Sequence, residues 1–259
     1  MTASVLKAGA RLKVIGRAGV GVDNIDLEAA RACEVTVVNA PMSTSIAVAE
    51  LTLCLLLALA REIPRADASM KLGRWDKKEL EGTELNGRTL GLVGFGRIGV
   101  EVGRRTSAFG MSVVAYDPLL ESDEIRRRGA EPLALDELYA CSDFLSFHLP
   151  LSVQTRDMVG EQAFSQMKQG VRIVCAARSG IIDEQALIRA LDRGQVAGAA
   201  LDVFAEEPPC QSQLVFHPRV IATPHIGAQT VEAQSRAGVD IATEVLNVLR
   251  GESPRWKVA

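Results

Sequence analysis

From about residue 89 onward, short apolar runs alternate with stretches in which apolar residues recur every three or four positions. The short runs are typical of buried strands, and the periodic stretches are typical of amphipathic helices. The predicted strands are TLGLVG (89–94), SVVAY (112–116), DFLSFH (143–148), VRIVCA (171–176), AGAALDV (197–203) and VIAT (220–223). Regular alternation of strands and helices predicts a parallel sheet covered by helices on both faces.

Two flanking segments stand outside this series. Residues 11–38 contain two further strands, RLKVIG and VTVV, around a short helix that begins near Asn24 and Asp26. Residues 229–250 have the pattern of one final helix. This order indicates that the alternating domain is inserted between two pieces of another domain.

The first strand of the series runs into the sequence GFGRIG, which places Gly94, Gly96 and Gly99 in a GxGxxG pattern. Such glycines allow a tight turn, a close approach of the backbone to a diphosphate, and close packing of the following helix. The helix that begins near Arg97 offers free N–H groups and the positive end of its dipole to that diphosphate. Glycines also mark plain turns, but this motif follows a strand, opens a helix and precedes a second strand that ends at Asp117, about 20 residues on. The pattern therefore predicts a dinucleotide-binding turn.

Asp117 indicates which dinucleotide is bound. Its carboxylate can accept hydrogen bonds from the ribose hydroxyls of NAD and would repel the 2′-phosphate of NADP. No GK[ST] follows the glycines, so a P-loop is not indicated. We therefore predict NAD as the cofactor.

The predicted fold is α/β, a Rossmann-type doubly wound parallel sheet inserted into a second, incomplete α/β substrate domain. The predicted domain boundaries are 1–40, 41–228 and 229–259.

Polar side chains with acid, base and charge-pairing chemistry follow three of the predicted strands. Arg178 follows VRIVCA, Asp202 ends AGAALDV with Glu207 in the loop beyond it, and His225 follows VIAT. Ligands of open parallel sheets bind outside the carboxyl ends of the strands. A guanidinium there can hold a substrate carboxylate, an imidazole can accept a hydroxyl proton, and a carboxylate can orient the imidazole. Each residue alone also fits a structural role, but together they predict hydride transfer on a 2-hydroxy acid.

The other two histidines and the cysteines are assigned structural roles. We expect His148 to make a structural hydrogen bond at a strand end and His217 to be exposed in a polar loop. Cys175 lies in an apolar strand, where burial is expected rather than reactivity. The five cysteines are scattered and odd in number, so a reducing, cytoplasmic compartment is expected, and no metal site is predicted.

Composition and charge exclude several classes of partner. The formal net charge of −3 provides no basic field for nucleic acid or acidic lipid, and 4% aromatic residues provide few stacking platforms. The apolar run from Ser45 to Ala60 is shorter than the ~20 residues that a membrane span needs, and it contains Glu50. We predict a buried or subunit-interface helix there, with no membrane and no nucleic-acid partner.

Five longer stretches carry a family resemblance: GRAGVGVDNIDLEAA, GTELNGRTLGLVGFGRIG, ARSGIIDEQAL, GAALDVFAEEPP and PHIGAQTVEAQ. They closely resemble the D-isomer-specific 2-hydroxyacid dehydrogenases, and within that family the members that oxidise 3-phospho-D-glycerate to 3-phosphohydroxypyruvate in serine biosynthesis. The resemblance implies a catalytic set of Arg178, Glu207 and His225, with His225 as acid/base. It also implies a set of residues around NAD: Gly94, Gly96, Arg97, Ile98, Gly99, Asp117, Ala176, Ala177, Asp202 and Gly227.

The same resemblance implies a homodimer or homotetramer with a small 2-hydroxy acid as substrate. Family chains normally begin with roughly 50 more residues, a span worth a strand–helix pair or two. We therefore expect NAD binding to be retained more readily than turnover. Three alternatives stay open: a glyoxylate or hydroxypyruvate reductase, a non-catalytic NAD-sensing interaction protein, and an inactive shortened product.

Overall fold

A computed structural model describes all 259 residues. The helices are α1 Ala3–Ala8, α2 Leu27–Ala32, α3 Ser45–Ala60, α4 Ile63–Lys71, α5 Arg97–Ser107, α6 Ser122–Arg127, α7 Leu135–Cys141, α8 Glu161–Gln166, α9 Glu184–Asp192 and α10 Val231–Leu249. The strands are β1 Val14–Arg17, β2 Thr36–Asn39, β3 Thr89–Val93, β4 Ser112–Tyr116, β5 Glu131–Pro132, β6 Phe144–Phe147, β7 Val171–Cys175, β8 Val196–Leu201 and β9 Val220–Ala222.

The chain divides into two compact units. The first joins Met1–Ala47 to Ala228–Ala259, and the second is the continuous segment Val48–Gly227. The second unit contains a seven-stranded parallel sheet in the order β5-β4-β3-β6-β7-β8-β9. The strand order reverses between β3 and β6, as in a doubly wound sheet. The predicted Rossmann-type α/β fold is confirmed.

Both faces of the seven-stranded sheet are buried, because successive side chains of a strand point to opposite faces. On β6, Phe144 belongs to one core cluster while Leu145 and Phe147 belong to the other. Helices α7, α8 and α9 contribute to the larger cluster, and α3, α5 and α6 contribute to the second. This burial on both sides explains why the strands read as continuous apolar runs.

The first unit has its own small parallel sheet of β1 and β2. Helix α10 packs on both strands, and the last residues of the chain run beside β2, where Val37 N–H donates to the carbonyl of Ala259. Asp26 accepts a hydrogen bond from Ala29 N–H and so caps α2. The assignment of this unit to pieces of a substrate domain stays a prediction.

Helix α3 spans the apolar segment from Ser45 to Ala60. Its Leu55, Leu56 and Leu59 are buried in a core cluster, and Glu50 lies exposed. None of the helices combines the length and apolarity that crossing a membrane would require. Helices α1 and α4 and the two-residue strand β5 were absent from the sequence prediction.

Candidate active site

The glycine-rich turn follows β3, next to the reversal of strand order. Gly94 has φ +93°, and a Cβ there would lie 2.8 Å from the backbone of His148. A Cβ at Gly99 would lie 2.4 Å from the carbonyl oxygen of Gly94. Both positions therefore need glycine. At Gly99 the missing Cβ allows α5 to pack against the turn itself rather than against the strand.

The middle glycine of the motif, Gly96, faces open space instead. A Cβ at Gly96 would meet nothing within 4 Å, and Gly96 is the N-cap of α5 without a side-chain cap. The first N–H groups of a helix have no partner inside the helix. An uncapped helix start beside open space on the ligand edge of the sheet fits a diphosphate, with Arg97, Ile98 and Gly99 supplying the first turn.

Asp117 directly follows β4 and is already oriented by the backbone. One carboxylate oxygen accepts from Phe95 N–H at 2.8 Å and the other from Leu119 N–H at 3.0 Å. Arg128 donates to the carbonyl of Phe95 at 3.1 Å and to Glu124 at 2.6 Å. Phe95, the turn residue between Gly94 and Gly96, is thus held at both its N–H and its C=O group. The hydrogen bond from Arg128 to Phe95 has no signal in the sequence.

The remaining predicted cofactor residues lie at the same edge of the sheet. Ala176 and Ala177 follow β7, and both are buried. Asp202 follows β8, and Gly227 lies beyond β9. Strands β7, β8 and β9 are neighbours and parallel, so these residues share one carboxyl-end edge.

Asp202 anchors the loop after β9. Its side chain is buried at 1% exposure and accepts three hydrogen bonds: from Thr223 Oγ1 at 2.6 Å, from Ile226 N–H at 2.8 Å and from Gly227 N–H at 2.8 Å. A buried carboxylate requires such partners. The residues on both sides of His225 are therefore bound to one carboxylate.

His225 and Glu207 form a direct pair. The ring Nδ1 of His225 lies 2.9 Å from Glu207 Oε2, and the side chains are 53% and 38% exposed. Glu207 Oε1 accepts from Phe204 N–H at 3.2 Å, so both carboxylate oxygens are engaged. His225 has φ +53°, a left-handed conformation that is uncommon outside glycine and that clusters at functional sites. The Nδ1 contact leaves Nε2 as the ring atom that can exchange a proton with a ligand.

Arg178 lies three residues beyond the end of β7. Strand β7 is the neighbour of β8, the strand that precedes Glu207. Its guanidinium donates to the carbonyl of Ala177 at 2.7 Å, and its own carbonyl accepts from the thiol of Cys175 at 3.8 Å. The catalytic set predicted from the sequence thus follows neighbouring strands, with a direct contact within the His225–Glu207 pair.

The residues assigned structural roles have well-defined surroundings. His148 Nε2 bonds to Ser146 Oγ at 2.9 Å, and its Nδ1 is buried without a partner. Burial lowers the pKa of His148 to about 4. Cys175 is buried, and burial raises the pKa of its thiol, which agrees with the expected inert role. The expected exposure of His217 is wrong: its side chain is only 11% exposed, because it contacts Asp192 and the backbone of Arg219.

A family model matches residues 53–227, and it describes the NAD-binding domain of the D-isomer specific 2-hydroxyacid dehydrogenases. The chain belongs to this family. The matched segment covers nearly the whole of the second unit, so the predicted cofactor, NAD, is confirmed for this domain.

The similarity to individual relatives is more specific than the match to the family model. The chain is 51% identical over 253 residues to D-3-phosphoglycerate dehydrogenase of Rattus norvegicus, covering 98% of this chain and 48% of that protein. The chain thus spans about half the length of the curated relatives it matches.

Two solved structures superpose closely. A glyoxylate reductase from Paecilomyes thermophila has TM-score 0.91 and 35% identity, covering 99% of this chain and 78% of that one. A D-lactate dehydrogenase from Aquifex aeolicus complexed with NAD and lactic acid has TM-score 0.87 and 32% identity, covering 97% and 80%.

Proposed function

We propose that the chain is an NAD-dependent D-2-hydroxyacid dehydrogenase that oxidises 3-phospho-D-glycerate to 3-phosphohydroxypyruvate, the first step of phosphorylated serine biosynthesis. The observation that carries the proposal is the His225–Glu207 pair, with 2.9 Å between ring and carboxylate, at the edge of an NAD-binding sheet. The choice of substrate is supported by the 51% identity to a D-3-phosphoglycerate dehydrogenase.

The residues that would hold NAD lie along one edge. The uncapped start of α5 would bind the diphosphate, and Asp117 would accept from the adenosine ribose hydroxyls. Ala176, Ala177, Asp202 and Gly227 would surround the nicotinamide end, with the small residues allowing close approach. When bound, NAD supplies the hydride acceptor of the reaction.

The residues of the chain would carry the substrate and its proton. Arg178 would pair with the substrate carboxylate through two parallel hydrogen bonds and so hold the carbon that loses hydride. His225 Nε2 would take the hydroxyl proton as the C–O single bond becomes a carbonyl, and would return it in the reverse direction. Glu207 would orient the ring through Nδ1 and stabilise the positive charge that the ring gains.

The test is the reverse reaction of the chain with NADH and phosphohydroxypyruvate, followed as loss of NADH absorbance. We expect turnover, and we expect His225→Gln to lower kcat by about 10²–10⁴-fold while NADH binding stays within about twofold. NADH binding without turnover of any 2-keto acid would contradict the proposal and favour the NAD-sensing alternative. Failure to bind NADH would favour the inactive alternative.

A second candidate has a specific observation in its favour. The structural match to a glyoxylate reductase, at TM-score 0.91, supports reduction of glyoxylate or hydroxypyruvate by the same residues. The two candidates differ in the phosphate group of the substrate. A kcat/KM higher for glyoxylate than for phosphohydroxypyruvate would select the second candidate.

We also propose a homodimer or homotetramer. Support comes from the apolar side chains that α4 and the following residues leave exposed, namely Ile63, Met70, Leu72 and Trp75. Mass measurement by light scattering tests this. The proposed cytoplasmic compartment rests on the scattered cysteines of the sequence.

A further inference from the structure

The loop that carries Glu207 is attached to helix α9 by a second glutamate. Glu184 Oε1 accepts a hydrogen bond from Ala205 N–H at 2.7 Å. The neighbouring amide, Phe204 N–H, donates to Glu207 Oε1. Two adjacent amides of one loop are therefore bound by two carboxylates, one from α9 and one from the site itself.

We propose that Glu184 is a positioning residue for the Glu207–His225 pair. By fixing Ala205, it fixes the direction of the Phe204 N–H group, and that group orients the carboxylate that contacts His225. No hydrogen bond or ion pair joins Glu184 to His225, so its influence on the Glu207–His225 pair would pass through this loop. Its effect on turnover rests on the proposed function, whereas its effect on the loop does not.

At Ala205 itself, little packing would replace this hydrogen bond. A cavity of about 530 Å³ lies beside the loop and is lined by Glu184, Gln185, Ile188, Phe204, Pro209 and Gln213, among others. Ala205, Glu206 and Glu207 are exposed. The side chain of Phe204 is buried in the larger core cluster, whereas the exposed residues beyond it are held mainly by their hydrogen bonds.

A purely structural role for Glu184 can be separated from the proposed one. Glu184 lies in the first turn of α9, where any acidic side chain is favoured by the helix dipole. The N-cap is already provided by Asp183, which accepts from Gln185 and Ala186 N–H. Glu184→Gln loses the charge but keeps an oxygen acceptor, whereas Glu184→Ala loses both. The dipole role predicts equal effects of the two variants, and the positioning role predicts that Gln rescues.

The first measurement is amide hydrogen exchange by NMR, which needs no substrate. In Glu184→Ala we expect exchange at Phe204 to accelerate about tenfold, because the amide loses its fixed direction toward Glu207. In Glu184→Gln we expect a change within about twofold. Glu206→Ala, which removes a carboxylate from the same exposed loop, is the matched control. The amides of β7 report whether each variant stays folded.

The second measurement is turnover with phosphohydroxypyruvate and NADH. We expect Glu184→Ala to lower kcat about tenfold with little change in NADH binding, and Glu184→Gln and Glu206→Ala to stay near wild type. Unchanged exchange at Phe204 in Glu184→Ala, or equal effects of Ala and Gln, would overturn the proposal. A wild-type chain without turnover would refute the proposed function, and the exchange data would still decide the role of Glu184.

Discussion

Replacing Asp202 by Asn tests the anchoring of the loop that carries His225. The buried carboxylate accepts from Thr223 Oγ1, Ile226 N–H and Gly227 N–H. The Thr223 and Ile226 bonds share one oxygen, so an Asn can keep both with its single carbonyl oxygen. The Gly227 N–H then faces an NH₂ group, and a buried donor opposes a donor.

The magnitude follows from these three bonds. A hydrogen bond to a charged group contributes about 1.5–3 kcal/mol, and a buried unsatisfied donor costs about 1–3 kcal/mol. Losing the Gly227 bond and weakening the other two should lower the free energy of unfolding by about 2–3 kcal/mol. Thr223→Val removes one hydroxyl bond and leaves both amides bound, so a loss of about 1 kcal/mol is expected.

The assay is urea unfolding followed by circular dichroism, with the midpoint and slope compared between variants. Asp136→Asn is the control, because Asp136 is exposed and should change stability by less than about 0.5 kcal/mol. If Asp202→Asn unfolds at the wild-type midpoint with an unchanged slope, the buried carboxylate does not hold the loop and the reasoning is refuted.

Three further predictions concern the cofactor edge and pH. Gly99→Ala places a Cβ 2.4 Å from a carbonyl oxygen of the turn and should weaken NADH binding at least about tenfold, as measured by fluorescence titration. The control is Gly238→Ala, whose Cβ would meet nothing within 4 Å and should leave NADH binding unchanged. Asp117→Ser removes the charge that repels a 2′-phosphate, so the ratio of NADPH to NADH affinity should rise at least about tenfold; an unchanged ratio would exclude Asp117 from this selection. Burial lowers the pKa of His148 from 6.5 to about 4, so the unfolded state binds more protons between these pH values. The free energy of unfolding should therefore fall by up to about 3 kcal/mol as the pH drops through this window, and His148→Gln should flatten that part of the stability–pH curve. An unchanged curve in His148→Gln would show that His148 is protonated alike in the folded and unfolded states.

Much of the parallel sheet could be predicted from the sequence because local signals agree with the tertiary fold. Buried parallel strands read as apolar runs, and Gly94 and Gly99 occupy positions where any Cβ would meet backbone atoms. The bounds of the short helices α7 and α8 were not predicted, because so few turns establish little periodicity. Four predicted strands of the large sheet, TLGLVG, DFLSFH, VRIVCA and VIAT, end one residue beyond the observed strand, whereas SVVAY ends at the observed residue. The identity of the residue that follows a strand does not show whether pairing has stopped.

For the candidate site, the sequence by itself determined which chemical groups follow which strands. Arg178, Asp202 and His225 are predictable because parallel strands place their carboxyl ends at one edge of the sheet. Only the tertiary structure decided what those groups touch. Asp202 is bonded to the loop of His225, and Glu184 to the loop of Glu207, through contacts that span more than 20 residues. Such pairings depend on loop paths in three dimensions, and local propensity and spacing carry no information about them.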